Sequence, residues 1–210
     1  MKFTTHLVSM ANVAMATAYD VSHLVNGIYK IPISDTGIIE YANAVNLNMT
    51  YLKAPSEGPT LNSLGPAGLH DTDENEDELQ EHHHGHCHWH YPHHYNRFIM
   101  GHAMMNMTNY PLTLAMFMEW VSTGAESGWL NRGEVRMAKS NDIVVGACIY
   151  KKHRLKTCTH ELSLAMGAAD RECAGGKVGC HVCLRHWHKD YFRFNASEAP
   201  NQCECAWYYW

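Results

Sequence analysis

The placement of the cysteines constrains this chain more than any other feature. Cys148, Cys158, Cys173, Cys180, Cys183, Cys203 and Cys205 crowd the last third, and Cys87 alone lies earlier. Ahead of them the first residues read as an export signal. Met1 and Lys2 give a positive start, Leu7 to Ala16 an apolar stretch, and Ala16-Thr17-Ala18 a small-x-small site before Tyr19. Residues 1–18 are therefore expected to be a signal peptide and the protein to be secreted and extracellular. Ser9 and Asn12 interrupt the apolar stretch, which leaves an ordinary N-terminal helix as the alternative. In an oxidising compartment crowded cysteines pair with one another, so a disulfide-stapled module is expected at the C-terminal end.

Asn48-Met49-Thr50, Asn106-Met107-Thr108 and Asn195-Ala196-Ser197 are N-glycosylation sequons, which makes Asn48, Asn106 and Asn195 acceptor candidates. With 210 residues, 46% of them hydrophobic, the chain can bury one sizeable core. A net charge of -5 with scattered Lys and Arg gives no nucleic-acid footprint. No later stretch reaches the about 20 apolar residues of a transmembrane helix.

Residues 19–52 alternate like strands. Gly27 to Ile33 and Gly37 to Tyr41 are apolar runs around Ser34-Asp35-Thr36, which predicts a β-hairpin segment. A two-stranded hairpin is marginal in water, so it must lean on another element or stay loosely ordered. Residues 53–94 turn to Pro, Gly, Ser, Asn and acidic side chains, a composition expected of a disordered linker.

The linker's acidic run meets a histidine tract holding His82, His83, His84, His86, His88, His90, His93 and His94, with Cys87 inside it. Imidazole suits Zn, Cu and Ni, so the tract is a candidate metal site, with a solvated low-complexity segment as the plainer reading. Its unperturbed pKa near 6.5 also makes it almost neutral in a neutral medium and cationic in an acidic one. No cofactor is required by any other pattern in the chain.

Residues 95–210 form the expected cysteine-rich α+β domain. Arg97 to Met104 reads as a strand, and Pro111 to Gly128 as a helix with Leu114, Met118 and Val121 at helical spacing. Trp129 to Ala138 and Ile143 to Lys152 read as strands around the polar connection Lys139-Ser140-Asn141-Asp142. A helix from Thr159 to Cys173 places Leu162, Ala165, Met166 and Ala169 on one face, and a strand from Val178 to Trp187 follows. Strand, helix, strand, strand, helix, strand is the order of a ferredoxin-like split β-α-β sandwich, an antiparallel sheet with two helices on one face.

Trp120 to Trp129, Val144 to Tyr150, Cys158, the Leu/Ala-rich helix and Asp170-Arg171-Glu172-Cys173 together resemble secreted cysteine-rich proteins of fungi. Some of these are related to yeast killer toxins and to plant-pathogen effectors with an α/β-sandwich fold. The resemblance covers about residues 110–205 and implies a toxin or effector role without naming a target.

Cys180-x-x-Cys183, with His181, His186 and His188 nearby, has zinc-site spacing, but secretion favours disulfides to distant partners at Cys148, Cys158, Cys173, Cys203 or Cys205. Cys87 either supplies the eighth sulfur or leaves one thiol free. His160-Glu161-Leu162-Ser163-Leu164 begins like a zincin helix but lacks the second histidine, so Glu161 is read as supporting a helix start. Without a nucleophile elbow or phosphate loop, no enzyme is expected. The aromatic end Trp207-Tyr208-Tyr209-Trp210 either covers the sheet or forms a recognition patch. The expected function is thus binding of a host or competitor cell-surface protein or glycan by a non-enzymatic toxin- or effector-like protein. The alternative is extracellular transition-metal binding through the histidine tract.

Overall fold

The computed structural model describes residues 18–47, 97–123, 127–149, 154–184 and 188–203. The expected signal peptide up to Thr17, the expected linker with its histidine tract, Cys87, Cys205, Asn48 and the aromatic end lie outside the described residues.

The centre of the molecule is a hairpin of strands β5 (Glu134–Ser140) and β6 (Ile143–Ile149), buried along their whole length. They pair antiparallel from Val135 opposite Cys148 to Ser140 opposite Ile143. The turn takes only Asn141 and Asp142, with Asn141 at φ 52°, a left-handed conformation that Asn tolerates. Asn109 Nδ2 donates to Asp142 Oδ1 at 2.6 Å and the Ala196 N–H to the Asp142 carbonyl at 2.7 Å, so the turn is pinned from both layers. Because both sheet faces are covered, β6 reads as an unbroken apolar run. Ile143, Val145, Ala147 and Ile149 enter one core, and Val144 and Cys148 the other. Gly146 is required between them, since a Cβ there would strike the Phe192 ring and stand 2.7 Å from the Arg136 carbonyl.

One core lies under two helices, α1 (Tyr110–Ser122) and α2 (Thr159–Glu172). Phe117, Trp120 and Val121 of α1 meet Leu162, Ala165, Met166 and Ala169 of α2 over the sheet, so both helices occupy the same face. Each large apolar side chain taken fully out of water there contributes about 1.5–3 kcal/mol. Helix α1 ends earlier than the expected Gly128. Thr123 turns extended, and its N–H and hydroxyl both donate to the Glu119 carbonyl, at 2.9 and 2.7 Å. The strand expected over Trp129 to Ala138 is split. Strand β4 (Trp129–Leu130) pairs with β7 (Leu155–Lys156), and Gly133 at φ 77° turns the chain into β5.

Among the described residues the main sheet has seven strands. The others are β1 (Gly27–Pro32), β2 (Val45–Asn46), β3 (Arg97–Met104), β8 (Val178–Leu184) and β9 (Lys189–Asn195). The order is β2-β1-β5-β6-β9-β8-β3, and every pairing is antiparallel. An antiparallel α+β protein with two helices on one face is thus what forms. The ferredoxin-like split β-α-β order is not reproduced, because β9 inserts between β6 and β8 and leaves β3 at the edge. The strand expected to run from Val178 to Trp187 stops at Leu184, and Lys189–Asn195, read in the sequence as part of a tail, is an inner strand. Its alternation explains this. Phe192 and Phe194 fill one face while Tyr191 fills the other, so the segment has apolar groups for both cores.

The hairpin segment leans on this sheet. Strand β1 pairs with β5 from Gly27 opposite Lys139 to Pro32 opposite Glu134, and the Ser34–Gly37 turn closes through Ile33 opposite Ile39. The second sheet face is covered by Val21, Leu24, Ile39 and Tyr41 together with Ala196, Ala199 and Cys203, which pack on Ile31, Val135, Met137, Val144, Phe192 and Phe194. Tyr41 donates its hydroxyl proton to the Pro200 carbonyl at 2.6 Å, and burial pushes that phenol well above the usual tyrosine range. No helix among the described residues is long and apolar enough to cross a membrane.

Candidate functional site

Strand β9 carries the chemistry of the interior. Residues of one parity, Asp190, Phe192 and Phe194, point away from the helices, while Lys189, Tyr191 and Arg193 point under them.

On the face away from the helices, Asp190 stands directly opposite Cys148 of β6 on one side and Cys183 of β8 on the other. His181, two residues back on β8, reaches it diagonally. Its Nδ1 lies 3.1 and 3.0 Å from the two carboxylate oxygens. Both side chains are buried, His181 at 3% exposure and Asp190 at 0%. The Phe194 ring meets the imidazole edge-on at 4.9 Å, so the pair sits in an apolar frame. Nδ1–H donating to the carboxylate leaves a tautomer in which the pair is internally satisfied. Cys148 Sγ is 4.0 Å from Asp190 Oδ2, and the sulfur is bonded to Cys203 across 55 residues of sequence. The ligand atoms of Cys148, Asp190 and Cys203 lie within 4.8 Å of one another. Three such groups this close could hold a metal ion, but the two sulfurs are joined to each other rather than held as thiolates.

Under the helices, Glu161 of α2 gathers two donors. Lys189 Nζ lies 2.9 and 3.0 Å from its oxygens, and the Tyr191 hydroxyl donates to Oε1. Lys189 Nζ also donates to the Lys156 carbonyl at 2.5 Å, and Tyr191 OH meets Thr157 Oγ1 at 3.0 Å. Burial raises the Glu161 carboxyl above the ordinary glutamate value, opposed by the Lys189 charge and the Tyr191 and Lys189 hydrogen bonds. Glu161 therefore ties the first turn of α2 to β9 as well as lying near a helix N-terminus.

Arg193 is fully buried, bonds Asp170 of α2 through Nη1 and lies 4.8 Å over the Tyr110 ring. Burial pushes the Tyr110 phenol up to about 12, with Arg193 pulling it down. Arg136 completes the set, with Nη2 2.8 Å from Glu134, whose other oxygen is 3.0 Å from Lys30 Nζ.

Two bridges have defined partners. Cys173 at the end of α2 bonds Cys180 of β8, and Cys148 of β6 bonds Cys203. Cys158 and Cys183 are disulfide-bonded as well, and no described cysteine is free. The Cys-x-x-Cys spacing at Cys180 and Cys183 falls on a strand, where an odd separation sends the side chains to opposite faces. Cys180 accordingly lies in the helix-side core, away from His181. That placement removes the single-ion geometry which the same spacing has on a turn.

Of the sequon asparagines, Asn106 is exposed before α1 and accepts the Thr108 N–H at 3.0 Å. Asn195 is half-buried and doubly engaged. Its Nδ2 donates to the Met104 carbonyl at 3.1 Å, and its Oδ1 accepts the Ser197 N–H and hydroxyl at 3.0 and 2.8 Å.

Sequence reasoning missed Asp190, Lys189 and Arg193. A usable signal was present, because Lys189-Asp190-Tyr191-Phe192-Arg193-Phe194 has the aromatic density of a strand between two faces.

These features define a disulfide-braced α+β protein whose buried Glu161, Asp190 and Arg193 each have a partner. No protein-family model, curated protein or solved structure matches the chain.

Proposed function

We propose that this chain is a secreted, non-enzymatic protein of the toxin or effector kind, acting by binding a protein or glycan on a host or competitor cell. The observation that carries this reading is the pairing of its acidic groups and the bonding of its sulfurs. Glu161 is held by Lys189, Asp170 by Arg193, Glu134 by Arg136 and Asp190 by His181, while Cys148 and Cys203 are bonded to each other. Groups engaged in this way brace a fold and do not present a reactive atom to a substrate. The resemblance of residues 110–205 to fungal killer toxins and effectors, and the density of cysteines, support the same reading.

The test is to replace the most reactive-looking groups conservatively and follow biological effect and cell binding together. Asp190→Asn and Glu161→Gln proteins that retain the native near-ultraviolet dichroism are expected to bind target cells saturably and to keep their effect. Loss of effect with binding and fold intact points instead to catalysis at the altered group.

The histidine tract from His82 to His94 supports a second reading, extracellular capture of Zn, Cu or Ni. If the biological effect survives both chelation and removal of the tract, metal capture is incidental to it.

A further inference from the structure

Among the described residues, Met100, Met104 and Met107 are three of the exposed large apolar side chains, and they fall within one short stretch. Met100 is 57% and Met104 61% exposed on β3, the edge strand of the sheet. Edges in soluble proteins normally carry charge or proline, and methionine there adds apolar surface without burying it.

The register of β3 gives these thioethers a specific geometry. Met100 stands opposite Cys180 and Met104 opposite Val178, with a bulge between them. Four steps along β3 therefore match two along β8. The two methionines face partners only about 7 Å apart, whereas four residues of straight strand span about 13 Å. Both partners look into the helix-side core, so Met100 and Met104 share one face, with exposed His102 between them.

The bulge is held from behind. Glu198 accepts the His102 N–H at 2.8 and 2.9 Å and the Ala103 N–H at 2.5 Å. Gly101 permits this approach, since a Cβ there would stand 2.8 Å from both Glu198 Oε2 and the Phe194 ring. The backbone that carries the imidazole is thus fixed from the face opposite Met100 and Met104.

We propose that Met100, His102 and Met104 form a binding site for a soft monovalent cation, Cu(I), through two thioethers and one imidazole. Neutral sulfur ligands favour Cu(I) over zinc, calcium or magnesium, and thioethers remain ligands in acid because they carry no proton. The site is separate from the histidine tract, whose imidazoles suit divalent ions.

Ag(I), a stand-in for Cu(I) that is inert to air, is titrated into the full-length secreted protein with its disulfides intact and its methionine methyls labelled with carbon-13. The Met100 and Met104 methyl signals are expected to shift together and to saturate with one apparent affinity. Exposed Met107 and buried Met137 should stay in place, and Zn(II) should move none of the four. Met100→Leu, Met104→Leu and His102→Gln, which keep the size of exposed side chains, should each weaken binding about tenfold or more. Absence of any shift at Met100 and Met104 overturns the proposal. So does an equal shift at Met107, which signals indiscriminate thioether binding, or full affinity in the His102→Gln protein.

Discussion

Asp190 holds the Nδ1 of His181 at 3.0 Å across adjoining strands, inside a wall of phenylalanine rings and beside the Cys148–Cys203 disulfide. Each member makes the other tolerable in a place without water. Removing one partner of a buried pair leaves the other uncompensated, at a cost of about 3–5 kcal/mol. His181→Ala should therefore destabilise the protein by about that much, whereas joint replacement of His181 and Asp190 by leucine should be milder. Denaturant unfolding of the single and double variants measures both, and additive losses would show that the two groups do not act as a pair.

The two resolved bridges should differ in value. Cys148–Cys203 closes 55 residues and Cys173–Cys180 only 7, which in the loop-entropy account corresponds to about 4 and about 2 kcal/mol. Double alanine replacement of each pair, followed by denaturant unfolding, is expected to reproduce that order. Complete reduction should unfold the protein, with loss of protease resistance.

Glu161 gives the stability a pH dependence of definite sign. Its folded carboxyl holds a proton more tightly than the ordinary glutamate value of 4.5, because burial disfavours the charge. Between the unfolded and folded values the native state carries more protons than the unfolded chain, so this residue's contribution falls as pH rises and levels off above the folded value. Relative to Glu161→Gln, the native protein should lose stability as pH climbs above the ordinary glutamate value of 4.5 and then level off. A difference profile that rises over that window contradicts the burial of this group.

Of the described sequons, Asn106 is expected to carry glycan and Asn195 to remain bare when the protein passes through a eukaryotic secretory route. Asn106 is exposed, whereas the Asn195 amide nitrogen is engaged by the Met104 carbonyl. Glycopeptide mass spectrometry of the native protein and of Asn106→Gln decides this. Asn195→Gln should lower stability by about 1 kcal/mol through the lost hydrogen bonds, without changing the glycan mass.

The histidine tract should bind Zn(II) and Cu(II) near neutral pH and release them as its imidazoles protonate below about pH 6. Calorimetric titrations on either side of that value test it, and equal affinity at both would exclude histidine as the main ligand.

Local pattern alone determined much of this protein. Leu162, Ala165, Met166 and Ala169 recur at the spacing of a helix face and are buried on one, and Ile143 to Ile149 has the composition of a core strand and is one. The turn at Asn141 and Asp142 was legible because few residues take that backbone readily. Cysteine crowding pointed to distant disulfides, although no spacing could say that Cys148 meets Cys203. Tertiary structure decided what depends on pairing between segments remote in sequence. The same Lys189–Asn195 strand fits a tail or a sheet centre until β6 and β8 flank it, and only that insertion moves β3 to the edge and brings Asp190 to His181. The physical reason is that hydrophobic periodicity records which face a residue turns to the core, whereas strand order, register and the partner of a buried charge are properties of two segments at once.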